Sequence, residues 1–329
     1  MKKKKISSVA VLCSGGDAPG MNAALRSVVR TGIFHGLDVW GVYRGFSGLL
    51  EGHLEQMNLR SVANIIQRGG TIIKTARCQA FFGKTARAEA AHILRRKKVD
   101  ALVVIGGDGS YAGAYQMSKE NNFPVVGVPG TIDNDVFGTE YTIGFDTAVN
   151  TALESIDRIR DTASSHDRVF LVEVMGRASA EIAIRVGISG GAEVIVPPIE
   201  MNKLNVNQLV GKLKDSAHQG KLSSIIVVAE GLHPGGAQAL AKKIKDTSAM
   251  ECRVVILGYI QRGGVPSALD RYMASCMGSA AIETLLKGEL ATAISVVNGN
   301  ITPIALQKIV GKKKKMNLEL LKLGQILAS

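Results

Sequence analysis

Two carboxylates, Asp133 and Asp135, stand one residue apart inside the run VPGTIDND at 128–135. They follow directly on Gly130 and Thr131, a pair that can bring backbone close to an anion. Upstream, the run IGGDGSYAG at 105–113 places a third carboxylate, Asp108, inside a glycine-rich turn. Phosphoryl transfer to a hydroxyl uses such parts: donors around the phosphates, a carboxylate for the metal, and a carboxylate to take the acceptor's proton.

The elements that must position these residues are short apolar runs ending in glycine or close to one. They are 9–13, 37–42, 101–105, 124–128, 168–174, 224–231 and 253–258, rich in Val and Ile. Between most of them lie stretches with helical apolar spacing, at 20–34, 86–97, 110–120 and 146–163. Alternation of this kind predicts parallel βαβ units with helices on both faces of the sheet. Two turns share one design, VLCSGGDAPGMN at 11–22 and VVIGGDGSYAG at 103–113: strand, Gly-Gly-Asp, helix start. Free N–H groups and the helix dipole favour phosphate there, and both turns are expected to face one crevice at the carboxyl ends of the strands.

Other nucleotide signatures fail. Gly83-Lys84-Thr85 resembles the end of a P-loop, but the glycine required upstream falls on Cys78. Neither Gly-Gly-Asp turn is G-x-G-x-x-G, which argues against dinucleotide binding.

Composition excludes several classes. With 329 residues the chain is long enough for about two domains. The formal net charge is +12, but Lys2–Lys5 and Lys312–Lys315 supply eight of those charges, which leaves +4 for the rest. Short lysine runs near the ends read as solvated tails. A nucleic-acid face would spread its cations over a folded surface, and aromatic residues at 5% offer little for base stacking. No nucleic-acid partner is expected. Cys13, Cys78, Cys252 and Cys276 form no C-x-x-C pair, and the histidines show no zinc spacing, so reduced thiols in a cytoplasmic protein are expected. The start, four lysines and then ISSVAVLC, imitates a signal peptide, but its apolar run is short and leads into SGGD, which suits a first strand. No run of about 18 apolar residues is present, so no membrane span is expected.

Taken with RGGT at 68–71, YTIGFDTA at 141–148, DTASSHDR at 161–168, EVMGR at 173–177 and YIQRGG at 259–264, these motifs resemble those of the bacterial ATP-dependent 6-phosphofructokinases. The resemblance runs along nearly the whole chain and loosens over 300–329, where Leu320, Leu323 and Leu327 suggest a terminal helix docked by its leucines. It implies an α/β fold of two Rossmann-like domains, each a mostly parallel sheet covered by helices on both faces. The larger, ATP-binding one would comprise 1–143 and 257–305. The smaller, sugar-phosphate-binding one would comprise 144–256 and 306–329.

By position, the resemblance assigns ATP to Gly16, Arg77, Cys78 and the loop Gly107, Asp108, Gly109 and Ser110, with Asp108 also holding Mg2+. Asp133 becomes the general base for the sugar's 1-hydroxyl, Asp135 its electrostatic partner, and Arg77 the cation between the two phosphate-bearing substrates. Thr131, Ile132, Met175, Gly176, Arg177 and Glu230 would surround fructose 6-phosphate. Arg168, Arg253, Tyr259 and Arg262 would meet its 6-phosphate, with Arg168 and Arg253 coming from a neighbouring subunit of a homotetramer. Read without the resemblance, Met175 could be core packing and Glu230 could pair with a basic neighbour.

Pyrophosphate-dependent relatives usually carry Asp at position 109 and Lys at position 130. This chain has Gly109 and Gly130, which implies ATP as donor. Tyr259 replaces a family histidine, which implies weaker sugar-phosphate affinity. For an ADP or phosphoenolpyruvate effector, Arg26, Arg30, Arg160, Gly191, Glu193 and Lys221 match, whereas Leu59, Gln219 and Ser223 replace an arginine, a lysine and a histidine. Loss of those cations implies a weakened site. The expected activity is phosphorylation of fructose 6-phosphate to the 1,6-bisphosphate. Its alternatives are a pyrophosphate-dependent or altered-sugar enzyme, or a weakly active nucleotide-sensing paralogue.

Overall fold

The computed structural model describes residues 6–164, 169–218 and 223–328. They form two compact units: 1–147 with 262–314, and 148–261 with 315–329. The chain therefore crosses between units after 147, 261 and 314.

The first unit holds strands β1 (Ser8–Ser14), β2 (Asp38–Val42), β3 (Leu54–Met57), β4 (Ala101–Gly106) and β5 (Val125–Pro129). Its helices before the first crossing are α1 (Met21–Phe34), α2 (Gly45–Leu50), α3 (Lys84–Arg96) and α4 (Asp108–Asn121), and α5 (Phe145–Ser164) leads out of it. The second unit contributes β6 (Val169–Val174), α6 (Glu181–Ser189), β7 (Val194–Val196), α7 (Val206–His218), β8 (Ser224–Ala229), α8 (Gly236–Ser248) and β9 (Cys252–Ile256). After the return come α9 (Ala268–Leu286), β10 (Ala291–Val297) and β11 (Asn300–Ala305) in the first unit, and α10 (Leu318–Leu327) in the second.

In the first unit seven strands take the order β11-β10-β5-β4-β1-β2-β3, parallel except at the two outermost pairs. β1 and β4 are buried along their whole length, as continuous Val/Ile/Leu runs must be when both faces are covered. One face of the sheet, with Ala10, Leu12, Leu102 and Val104, packs into a core with Phe46 of α2, Leu94 of α3 and Tyr111 and Met117 of α4. The alternate residues Val9, Val11, Val103 and Ile105 are equally inaccessible, on the face where α1 packs beside α9.

The second unit's sheet, β7-β8-β6-β9, is wholly parallel. Leu171, Val196, Ile226 and Val228 face α7 and α8 through Leu209, Leu213, Leu240 and Ile244.

Two features depart from the sequence reading. β10 and β11 form an antiparallel hairpin whose two-residue loop, Asn298-Gly299, has φ of +49° and +74°. That is a type I′ turn, and its Asn-Gly dipeptide is the strongest short hairpin signal a sequence carries. The terminal helix α10 does form, but Leu323 and Leu327 are exposed and Gly324 is the buried residue. A Cβ at 324 would lie 2.6 Å from Ile195 Cδ1, so the helix seats through Gly324, with Leu320 half-buried beside it.

Candidate active site

The strand register brings the chemistry of the first unit together. Ser14 at the end of β1 is the Cα partner of Gly106 at the end of β4, and Gly106 is the partner of Pro129 at the end of β5. The three turns that follow, Gly15–Asp17, Gly107–Ser110 and Gly130–Asp135, thus leave one edge of the sheet side by side. From β1 the chain proceeds outward to β2. β4, on the other side of β1, proceeds the opposite way to β5, which makes β1/β4 the switch point where open α/β sheets bind ligands.

In the middle turn, extended Gly107 precedes α4, whose first residues are Asp108, Gly109 and Ser110. The first helical hydrogen bond joins Tyr111 N to Gly107 O, so the preceding amides point out of the helix end. Asp108 and Gly109 are exposed and Ser110 is buried. Partial burial raises the Asp108 carboxyl above its ordinary value, and the charge of Lys313 works in the opposite direction. The lysine run at 312–315 is therefore not merely a distant tail. Leu306 and Ile309 bury its preceding turn in the core, and Lys312 Nζ stands 5.1 Å from the centre of the Phe137 ring.

Among the described residues no three His, Cys, Asp or Glu side chains cluster as a metal cage. One exposed carboxylate at a helix start instead suits a hard cation that completes its shell with phosphate oxygens and water, the habit of Mg2+.

In the flanking turn, Thr75 Oγ1 donates to Gly15 O across 2.9 Å, which anchors the strip carrying exposed Arg77 and half-buried Cys78. Arg262 is 9% exposed, donates from Nη1 to Asp17 O and covers Gly16, where any Cβ would collide with its guanidinium.

The third turn carries the paired carboxylates. Asp133 is 3% exposed and Asp135 half-buried, with Ile132 packed inward. Thr131 is bracketed by the strip 142–143: its N–H donates to Ile143 O, its carbonyl accepts from Thr142 Oγ1 at 2.7 Å, and Ile143 N donates to Pro129 O.

In the second unit, the turn after β6 holds Met175, Gly176 and Arg177. Glu230 Oε2, just past the end of β8, accepts the amides of both Gly176 and Arg177 at 3.2 and 3.1 Å. Its carboxylate thus holds a turn in which Gly176 and Arg177 have φ of +144° and +51°. Met175 is buried, and its amide donates to Gln261 Oε1. Gln261 is fully buried and had not been singled out, because its partners lie at 148 and 175 and no local pattern announces them. Arg253 is exposed on β9, an edge strand, and Tyr259 is 83% exposed. Arg168 and Lys221 lie outside the described residues.

Of the expected effector residues in the second unit, Arg160 donates to the carbonyls of Gly190 and Gly191, and Glu193 accepts Ile225 N. In the first unit, Arg26 is half-buried, and Arg30 lines an open cleft of about 530 Å³ together with Phe34, Leu59 and Glu283.

Comparison with known proteins identifies the family and the fold. The family model described as phosphofructokinase matches residues 8–285. A Thermus thermophilus protein named ATP-dependent 6-phosphofructokinase 1 is 51% identical over 320 residues, covering 97% of this chain and 99% of that protein. The solved Pichia pastoris phosphofructokinase in the T-state superposes with a TM-score of 0.86 at 34% identity. That match covers 93% of this chain and 35% of the longer yeast chain. A Marinobacter aquaeolei structure described as a pyrophosphate-dependent phosphofructokinase has a TM-score of 0.84 at 24% identity, covering 95% of this chain and 86% of that one, and shares the fold.

Proposed function

This chain belongs to the phosphofructokinase family, and from that premise we propose that it transfers the γ-phosphoryl group of ATP to the 1-hydroxyl of fructose 6-phosphate. The observation that supports the reading is the row Ser14, Gly106, Pro129, from which the glycine-rich turns, Asp108 and buried Asp133 leave neighbouring strand ends.

The first unit would bind the nucleotide. Amides of the Gly107–Ser110 turn and the Gly16 turn meet the phosphates, and Arg77 offers a fixed cation where charge moves between donor and acceptor. Mg2+ bound through Asp108 would neutralise phosphate charge. Asp133 takes the proton of the sugar hydroxyl as that oxygen bonds to phosphorus, and the bond to ADP breaks. Asp135 keeps the surroundings anionic, which favours proton uptake by Asp133. Thr131 and Ile132 set the approach of the sugar. Met175, Gly176, Arg177 and Glu230 shape its pocket, and Arg168, Arg253, Tyr259 and Arg262 hold its phosphate, with Arg168 and Arg253 lent by a neighbouring subunit of a homotetramer in the cytoplasm.

ATP, not pyrophosphate, is the donor because of two glycines. A Cβ at 109 would meet nothing within 4 Å, so glycine leaves open the space that the α-phosphate needs. At 130, a Cβ would lie 3.0 Å from Ile105 Cγ2 and Met21 Cε, so a larger side chain there would require those neighbours to shift. A coupled assay of ATP against pyrophosphate across several sugar phosphates tests the reading. Turnover is expected with ATP and fructose 6-phosphate, and faster turnover with pyrophosphate would overturn it.

A further inference from the structure

Asp270 lies in the first turn of α9, far in sequence from the turn that carries Asp133, and its side chain is fully buried. Its Oδ1 accepts the Tyr141 hydroxyl at 2.6 Å and Gly144 N at 2.6 Å. Its Oδ2 accepts Thr147 N at 2.8 Å and Thr147 Oγ1 at 2.5 Å. All four bonds land on one strip, 141–147. Burial alone would push this carboxyl towards neutrality, whereas the donors oppose that push. Burial is the larger effect and leaves the carboxyl raised above its ordinary value, while two of its four partners, the amides of Gly144 and Thr147, can only donate to it.

The middle of the clamped strip is what touches the catalytic turn. Thr142 Oγ1 donates to Thr131 O, Ile143 O accepts Thr131 N, and Ile143 N donates to Pro129 O. Thr131 in turn receives Asp133 N on its hydroxyl, and Asn134 Nδ2 donates to Glu140 O at the strip's edge. Between Thr131 and Phe145, where α5 begins, the chain forms no helix or named strand, and Thr147 already lies in the first turn of α5. A loop in that situation needs side-chain anchors to hold one conformation.

We propose that Asp270 is a positioning residue for the phosphoryl transfer: its carboxylate locks 141–147 so that Thr142 and Ile143 present Asp133 to the acceptor hydroxyl. The proposal rests on the reading of Asp133 as the base. Asp270 itself touches neither substrate, so its loss should reach the rate through the geometry of the turn.

The test combines kinetics with amide hydrogen exchange. In Asp270→Asn the amide nitrogen meets groups that are already donors, so at least one bond becomes a donor-donor contact. We expect kcat to fall at least tenfold, KM values for both substrates to stay within about threefold, and the amides of Thr131 and Asp133 to exchange faster, while thermal unfolding remains a single cooperative transition. Tyr141→Phe and Thr142→Val remove one bond on either side of the strip and should each lower kcat less. Combined with Asp270→Asn, Thr142→Val should be non-additive. Should Asp270→Asn fail to fold, Tyr141→Phe and Thr142→Val carry the same test with the carboxylate in place. Exchange at 131 and 133 unchanged in these variants, or kcat unchanged per folded molecule, overturns the proposal. Exchange reads the turn whether or not the enzyme turns over. An inactive wild type would therefore refute the function, and leave the clamp to be judged by exchange alone.

Discussion

The amide of Asp133 donates to the hydroxyl of Thr131, two residues back, across 3.2 Å. This short bond folds the turn on itself and keeps the Asp133 carboxylate at the end of β5. If that carboxylate is the base, Asp133→Ser should lower kcat by roughly 10²–10⁴, the usual weight of general-base catalysis, with the fructose 6-phosphate KM little changed. Steady-state kinetics check this, and a variant retaining more than about a tenth of wild-type kcat would refute the assignment.

The donor choice can be reversed on the open position. Because a side chain at 109 meets no neighbour, Gly109→Asp should fold normally and place its carboxylate in space that the nucleotide needs. The expected outcome is an ATP KM raised far more than the sugar-phosphate KM, measured by varying each substrate at saturating levels of the other. Equal effects on both would count against the donor argument.

Tyr259 is 83% exposed, and if it meets the sugar phosphate it can offer that group a phenol hydroxyl. Tyr259→His should supply a shorter and partly cationic donor. A charge-assisted bond contributes about 1.5–3 kcal/mol at most, so a lower fructose 6-phosphate KM with nearly constant kcat is expected below the imidazole's pKa. Saturation curves at two pH values check both the sign and the charge dependence.

Effector control should be weak. The cleft beside Arg30 carries Leu59 and the Glu283 carboxylate, which accepts from His35 at 2.7 Å, so it offers few cations to an anion. Sugar-phosphate saturation curves should shift little with phosphoenolpyruvate or ADP, and Leu59→Arg should enlarge the shift. A strong sigmoidal response in the wild type would mean that the remaining arginines suffice.

Acid stability should reflect one ion pair. Arg87 of α3 binds Glu120 of α4 through two bonds of 2.7 Å, and the Arg87 hydrogen bond holds the Glu120 carboxyl below its ordinary value of 4.5. A depressed carboxyl stabilises the fold above its unfolded pKa and loses that contribution as pH falls through the folded value. Urea unfolding midpoints should therefore drop between pH 6 and pH 3 by more in the wild type than in Arg87→Met. Equal drops would place the acid sensitivity elsewhere.

Residues that act through local pattern were legible. β1, β4, β5, β6 and β8 announce themselves because a strand covered on both faces must be apolar almost throughout, and Gly-Gly-Asp turns follow β1 and β4 directly. The short strands β3 and β7 carry too few residues for any period to emerge, and the Asn298-Gly299 hairpin was written in the chain but went unread. The leucine spacing of α10 foretold a helix but not its seat, because close approach to Ile195 favours the residue without a side chain, Gly324.

By itself, then, the sequence determined the alternating α/β class, the glycine-rich turns, the paired carboxylates and the glycines at 109 and 130. All of these depend on neighbours a few residues away. Only the tertiary structure decided that Ser14, Gly106 and Pro129 end in one row, since register is fixed by pairing between distant strands. It alone revealed that Glu230 holds the 176–177 turn, that Gln261 holds Met175 and that Asp270 clamps the strip beside Asp133. A buried acceptor must be matched by donors, and those donors lie from 53 to 129 residues away in the chain, where no local period can reach.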